Sequence, residues 1–227
     1  MKLSYRFFYL SLTLLTFLTV NAAQAKTYRF VVTSAANLPV SDVVIAAILP
    51  QTATPSMSTA KMDQANIAFS PYVLPISAGD KVTFPNSDNI RHHVYSFSAA
   101  KPFDLKLYSG EPEKPVIFDK PGVIVLGCNI HDNMVGYIYV SNSRFHASTD
   151  FNGESSLAVP TPITEISVWH PGLSIDSQKE LLLSLKSLQQ IDGVYQINLL
   201  MGQPATNPQA MQAPNRDRFK RFMKPKE

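Results

Sequence analysis

Gly127-Cys128-Asn129-Ile130-His131-Asp132-Asn133-Met134 contains the chain's only cysteine and sets a thiolate, an imidazole and a thioether in the spacing C-x2-H-x2-M. A further pair of imidazoles lies upstream in Arg91-His92-His93-Val94. Two histidines, one thiolate and one weak axial methionine are the ligand set of a blue-copper electron-transfer centre. A short loop between adjacent strands can hold three of these ligands. On that reading Cys128 ends a strand over Val123 to Gly127, His131 sits on the loop, and Met134 leads into Val135 to Val140. The remaining histidine comes from a different strand, so the site hardly exists until the chain has folded.

The N-terminus indicates the compartment. Lys2 and Arg6 form a small basic region, Phe7 to Val20 is an almost uninterrupted apolar run, and Ala23-Gln24-Ala25 is a small-x-small cleavage site before Lys26. This is the pattern of a secretory signal peptide over residues 1–25. The apolar run is short for a membrane span of about 20 residues, and no cysteine follows the cleavage site as a lipoprotein would require. The expectation is a periplasmic protein with no stable membrane insertion after cleavage. A single cysteine cannot form a disulfide within the chain. A lone thiol in an oxidising compartment is a liability unless a metal holds it.

Charge separates the body from the tail. Once Lys2 and Arg6 leave with the signal, 18 of the 20 Lys and Arg remain against 17 Asp and Glu. That near-neutral balance says little about partners, but export argues against a nucleic-acid partner. From Arg216 onward the tail is basic, with Arg216, Arg218, Lys220, Arg221, Lys224 and Lys226 against Asp217 and Glu227. Preceded by a stretch rich in Pro, Gln and Ala, residues 202–227 read as a disordered tail suited to an acidic partner or lipid surface.

Between signal and tail the patterns are strand-like. Tyr28 to Val32, Val43 to Leu49, Tyr72 to Ser77, Lys81 to Phe84, His93 to Phe97, Val123 to Gly127 and Tyr137 to Val140 are short β-rich runs. Phe145 to Thr149, a hairpin turn at Phe151-Asn152-Gly153-Glu154, Ser156 to Val159 and Ile163 to Trp169 extend the series. Lys179 to Leu188 fits a strand by the alternation of Leu181, Leu183 and Leu185, and a helix face by Leu181, Leu185 and Leu188. The Asp192-Gly193 turn before Val194 to Leu199 favours a hairpin. There is no repeat, no Gly-rich phosphate loop, and no Ser/His/Asp or paired-carboxylate constellation. His146 and His170 read as structural groups, and Met57, Met62, Met201, Met211 and Met223 are too scattered for a methionine-rich copper-loading motif.

Val82-Thr-Phe-Pro-Asn-Ser-Asp-Asn-Ile-Arg-His92 followed by Val94, Phe118-Asp-Lys-Pro-Gly122, and Cys128-Asn-Ile-His-Asp-Asn-Met-Val-Gly-Tyr-Ile-Tyr-Val140 resemble the cupredoxins, plastocyanin and amicyanin above all. The double histidine, Tyr95-Ser-Phe97, Cys128 to His131 and Val168-Trp-His-Pro171 also resemble a bacterial group loosely named methylamine utilization proteins, a name that establishes no role in amine oxidation. The resemblance implies an all-β Greek-key sandwich with one type 1 copper ion at one end. It implies Cys128, His131 and Met134 as ligands, with the ring edge of His131 reaching the surface. For the upstream ligand, the alignment on Asn86 selects His92, whereas spacing to a core Phe four residues on selects His93, paired with Phe97. Alternation on a strand lets only one of the two point inward; we assign His92. The family's usual Asn after that ligand is replaced here by His93, and Asp132 adds a charge beside His131.

The flanking strands, Thr27 to Leu49 and Phe145 to Leu200, resemble a small carboxypeptidase-regulatory or transthyretin-like sandwich. The expected organisation is therefore an accessory β-sandwich over 26–57 and 143–201 around a cupredoxin domain over 58–142. Three functions compete: a one-electron carrier between periplasmic redox proteins, a copper-binding protein for delivery or buffering, and a structural module that has lost its metal. The intact ligand set weakens the third. Delivery sites favour exposed, exchangeable Met or His clusters, so the carrier leads, and a copper with no open position argues against an enzyme. Intact mass of the protein from a periplasmic extract should place its first residue at Lys26; retention of residues 1–25 would indicate an anchor.

Overall fold

The computed structural model describes residues 25–49, 57–112 and 114–202. The expected signal segment up to residue 24, most of the connector (50–56) and the basic tail from residue 203 lie outside the described residues. Within them the chain is nearly all β. In order the strands are β1 (Lys26–Ser34), β2 (Val44–Ala47), β3 (Thr59–Lys61), β4 (Asp63–Ala65), β5 (Ala68–Ser70) and β6 (Val73–Ser77). They continue with β7 (Asp80–Thr83), β8 (His92–Ser96), β9 (Phe103–Tyr108), β10 (Val116–Phe118), β11 (Gly122–Gly127) and β12 (Val135–Ser141). The last six are β13 (His146–Ser148), β14 (Glu154–Val159), β15 (Glu165–Trp169), β16 (Glu180–Ser184), β17 (Gln190–Ile191) and β18 (Val194–Leu199). Two short 3-10 turns, Pro171–Leu173 and Leu185–Ser187, are the helical segments among the described residues. No helix there is long and apolar enough to cross a membrane.

The strands bury two separate cores. Sheets ordered β14-β1-β18-β17 and β13-β2-β15-β16 enclose Tyr28, Phe30 and Val32 of β1 with Ile45, Ile166, Val168 and Ile197. Sheets ordered β6-β12-β11-β8-β9 and β10-β7-β3 enclose Phe84, Val94, Phe118, Leu126 and Ile138, with Cys128 and Met134 in the same cluster. All strands of the second group lie in the chain between β2 and β13. Alternation carries both cores, because successive side chains leave opposite faces of a strand.

Some strands bury both faces, and they read as nearly continuous apolar runs rather than alternating ones. Along β12, Ile138 and Val140 enter the core that holds Cys128 while Tyr139 turns the other way. On β15, Ile166 and Val168 enter the flanking core while Trp169 turns outward. Tyr139, Trp169, Val44, Tyr72, Val73 and Val123 pack as a third cluster joining the two units. Its rings are close, with Tyr139 stacked on Trp169 at 5.4 Å and Tyr72 edge-on to Tyr137 at 5.4 Å. The Trp169 indole N–H donates to the Ser177 carbonyl at 2.8 Å, which satisfies the one polar atom of a fully buried ring.

Three strand expectations change. The turn at Phe151 to Glu154 exists, with Asp150 accepting from the backbone N–H groups of Asn152 and Glu154, but it does not close a hairpin. Here β13 pairs with β2 and β14 pairs with β1, so the turn carries the chain between facing sheets. Lys179 to Leu188 resolves into β16, paired with β15, and a 3-10 turn; the hairpin at Asp192-Gly193 joins β17 to β18 instead. Phe103–Tyr108 and Val116–Phe118 are strands that the pattern reading passed over.

His170 is structural. It is buried, and its Nδ1 accepts from the Gly172 N–H at 3.0 Å, capping the 3-10 turn. Burial holds the imidazole down at about 4, and protonating Nδ1 would also break the cap. Because the folded state resists protonation while the unfolded chain protonates near 6.5, this stability is complete above pH 6.5 and is lost as pH falls towards 4. The shift is equivalent to about 3 kcal/mol. His170→Asn keeps an acceptor without a titrating ring. Its thermal midpoint should fall less than that of the wild type between pH 7 and pH 4.5; parallel curves would show that His170 is not the source.

Candidate metal centre

The site is assembled where β8 passes the loop joining β11 to β12. Cys128 follows the last residue of β11, and the loop closes tightly: Met134 N–H donates to the His131 carbonyl at 2.9 Å and Val135 N–H to the Asn133 carbonyl at 3.1 Å. This returns the chain into β12, which pairs antiparallel with β11 from Gly127↔Val135 onward. Gly127 lies at a close approach: an added Cβ would lie 2.8 Å from Cζ of Tyr95, its cross-strand partner on β8, so the ring would have to shift. The backbone leading into Cys128 can therefore sit directly under an aromatic ring.

Two imidazoles face the thiol. Cys128 Sγ lies 3.8 Å from His92 Nδ1 and 3.7 Å from His131 Nδ1. One donor atom from each residue falls within 4.8 Å of the others, the one such cluster of three among the described residues. His92 is fully buried and Cys128 is 3% exposed, whereas His131 is half-buried at the loop surface. The two rings are 5.0 Å apart. Met134 is buried in the same apolar cluster as Cys128.

Of the two adjacent histidines, the structure turns His92 towards the thiol. His93 leaves the opposite face of β8, where its Nε2 pairs with the Asp104 carboxylate and its ring meets Tyr95 at 5.6 Å. A register irregularity between β8 and β9 accompanies this choice, for His92 pairs with Tyr108 while Val94 pairs with Leu105. Three steps on β9 thus oppose two on β8, a bulge of the kind that re-aims side chains beside functional sites. The position where the resemblance expects a loop-bracing Asn is occupied by a residue that braces β9 instead.

Sequence reasoning missed the groups behind His92. Its Nε2 lies 2.7 Å from Asp88 Oδ2. Asp88 also accepts from the backbone N–H of Asn66 at 2.7 Å and of Ile67 at 2.9 Å. Partial burial pulls the Asp88 carboxyl up, but the Ile67 N–H, the His92 ring and the Asn66 N–H outweigh it and hold the group below its ordinary value. Asn86, buried at 6% exposure, frames the loop: its side-chain N–H groups donate to the Ile90 and Tyr108 carbonyls, and its Oδ1 accepts from Asp88 N–H. Deeper in, Gln64 donates to the Phe84 and Pro85 carbonyls and to the Tyr108 hydroxyl. Burial, chiefly, pushes that phenol up to about 12. A carboxylate four residues before a histidine within a loop carries no periodicity, so nothing in the sequence pattern marks Asp88.

No family model matches the chain, and no curated protein matches it. Among solved structures it is similar to a copper-containing nitrite reductase from Thermus scotoductus, with 25% identity and a TM-score of 0.35, over 42% of this chain and 25% of that one. It is similar to a purple cupredoxin from Nitrosopumilus maritimus, with 26% identity and a TM-score of 0.33, over 36% of this chain and 99% of that one. An oxidized point mutant of amicyanin overlaps 42% of this chain and 99% of its own, with 18% identity and a TM-score of 0.34. The described residues themselves are nearly all β. At these TM-scores the likeness decides nothing further, and the case for a metal rests on the side chains.

Those side chains fit copper. A soft sulfur and two imidazole nitrogens converge in a largely water-excluded place, with a methionine from the same short loop in the surrounding cluster. His92→Ala removes one convergent donor and should abolish or strongly alter the visible absorption on titration with Cu(II), whereas His93→Ala should keep it. The reverse outcome would show that the pair is used the other way round.

Proposed function

We propose that this chain is a periplasmic cupredoxin-type electron carrier. It would hold a single type 1 copper ion through His92, Cys128, His131 and Met134 and pass single electrons between periplasmic redox proteins. The observation that carries this reading is the placement of two imidazole Nδ1 atoms at 3.8 Å and 3.7 Å from one buried thiol. Bound copper supplies the one-electron couple and the thiolate-to-metal absorption. The chain's own contribution is a compromise of donors, because imidazoles suit Cu(II) and thiolate and thioether suit Cu(I). A tight loop and two anchored strands supply that compromise with little freedom to rearrange.

Access for a partner comes through the loop. His131 is half-buried beside Ile130, which is 50% exposed, and beside exposed Asp132. A modest patch of this kind suits the small interfaces of transient redox encounters, typically under about 1,200 Å². With four protein donors no position is left for a substrate, which favours a carrier over an enzyme.

Purified protein given one equivalent of Cu(II) should develop intense visible absorption. Cys128→Ser should lose it while remaining a folded β protein, since the sulfur makes the transition and the apolar residues make the core. Copper at a hundredfold excess over its dissociation constant should raise stability by about 2.7 kcal/mol. Voltammetry should show reversible one-electron cycling with copper retained against a chelator in both states. A colourless wild type would sink the copper reading, and irreversible waves with rapid loss of Cu(I) would replace the carrier with a delivery protein.

A further inference from the structure

The fully buried His92 ring can offer Nδ1 to the centre only if its proton sits on Nε2. Which nitrogen carries the proton is set by the partner of the other one. That partner is Asp88 Oδ2 at 2.7 Å, within the range of a charge-assisted hydrogen bond. Asp88 does not depend on its own short side chain for this placement. Its Oδ1 accepts from Asn66 N–H at 2.7 Å and its Oδ2 from Ile67 N–H at 2.9 Å.

Those two donors are the central residues of the turn joining β4 to β5, at φ 56° and 57°. Two consecutive left-handed residues make the twist-matched turn of a two-residue hairpin and point adjacent N–H groups to one side. Asn adopts that conformation readily, but a β-branched residue does so rarely and at a cost of about 1–3 kcal/mol. Burial covers only part of the Ile67 side chain, which is 48% exposed. What the strained backbone does make is the bond from its N–H to Asp88.

Resting on the copper reading above, we propose that Asp88 is a positioning residue of the metal centre, clamped by the Asn66–Ile67 turn. It fixes the His92 ring as the Nε2–H tautomer with Nδ1 towards Cys128, and its negative charge favours Cu(II) over Cu(I). The hairpin is then part of the redox apparatus although it contributes no ligand.

Two measurements test this, one without metal. In the apo protein, long-range 15N imidazole spectra should show His92 as the Nε2–H tautomer in the wild type and as a mixture in Asp88→Ala. In the copper-loaded protein, Asp88→Asn keeps an acceptor for Nε2–H but loses the charge. Its preference for Cu(II) over Cu(I) should fall about tenfold, a rise in potential of ~59 mV. A wild-type His92 with its proton on Nδ1, or an Asp88→Asn potential equal to that of the wild type, would overturn the proposal. A wild type that binds no copper defeats the copper reading instead, and the apo spectra still decide the role of Asp88. If Asp88→Ala does not fold, the wild-type tautomer and the Asp88→Asn potential decide alone: a proton on Nδ1, or an unchanged potential, overturns the proposal.

Discussion

A thiol that is 3% exposed and faced by two imidazole nitrogens is the constraint on which the rest of this structure depends. Local sequence delivers only one of the imidazoles, since His131 shares a tight loop with Cys128. The other is 36 residues away and arrives because β11 pairs with β8 through Gly127 and Tyr95. A side chain at Gly127 would push the Tyr95 ring aside. The donors thus converge only in the folded chain. A metal bound there stabilises the whole metal-side sandwich, because it binds a site that only the native state possesses.

The ring of the buried His92 is surrounded by hydrogen-bonding groups on the side away from Cys128. Asn86 shapes the loop, Asp88 receives Nε2, and the Asn66–Ile67 turn receives Asp88. His92 and Asn86 are buried and Asp88 is partly so, and buried polar groups are costly when left unpaired. The downstream side differs: His131 is held by a short loop and remains half-exposed.

Much of the ligand loop was legible because its information is local. The spacing C-x2-H-x2-M needs only a turn between two strands, and the apolar runs on either side announce those strands. The choice between His92 and His93 was not legible from alternation, which says that one points inward without saying which; the bulge opposite them accompanies the answer. Pairing was also hidden. The turn near Gly153 was readable, yet the strands beside it belong to facing sheets, because β1 and β2 are available as better partners. Phe103–Tyr108 alternates as a strand should, but as an edge strand with exposed Leu107 it makes a weak apolar signal. Asp88 is the deepest omission, since a loop carboxylate acquires its role only from backbone donors more than twenty residues away.

The relation between the two sandwiches follows from the same strand that leaves the site. β12 begins immediately after Met134 and then buries both of its faces. Ile138 and Val140 complete the metal-side core, while Tyr139 stacks on Trp169 of β15 and hydrogen-bonds to Ser167 and Glu180. The flanking sandwich thus covers a hydrophobic wall that the metal-side sandwich would otherwise expose. Burying an aromatic pair of this size contributes more than its area alone, and the polar tips of Tyr139 and Trp169 are satisfied within the seam. The strand that carries the ligand loop is consequently braced along its length from both sides.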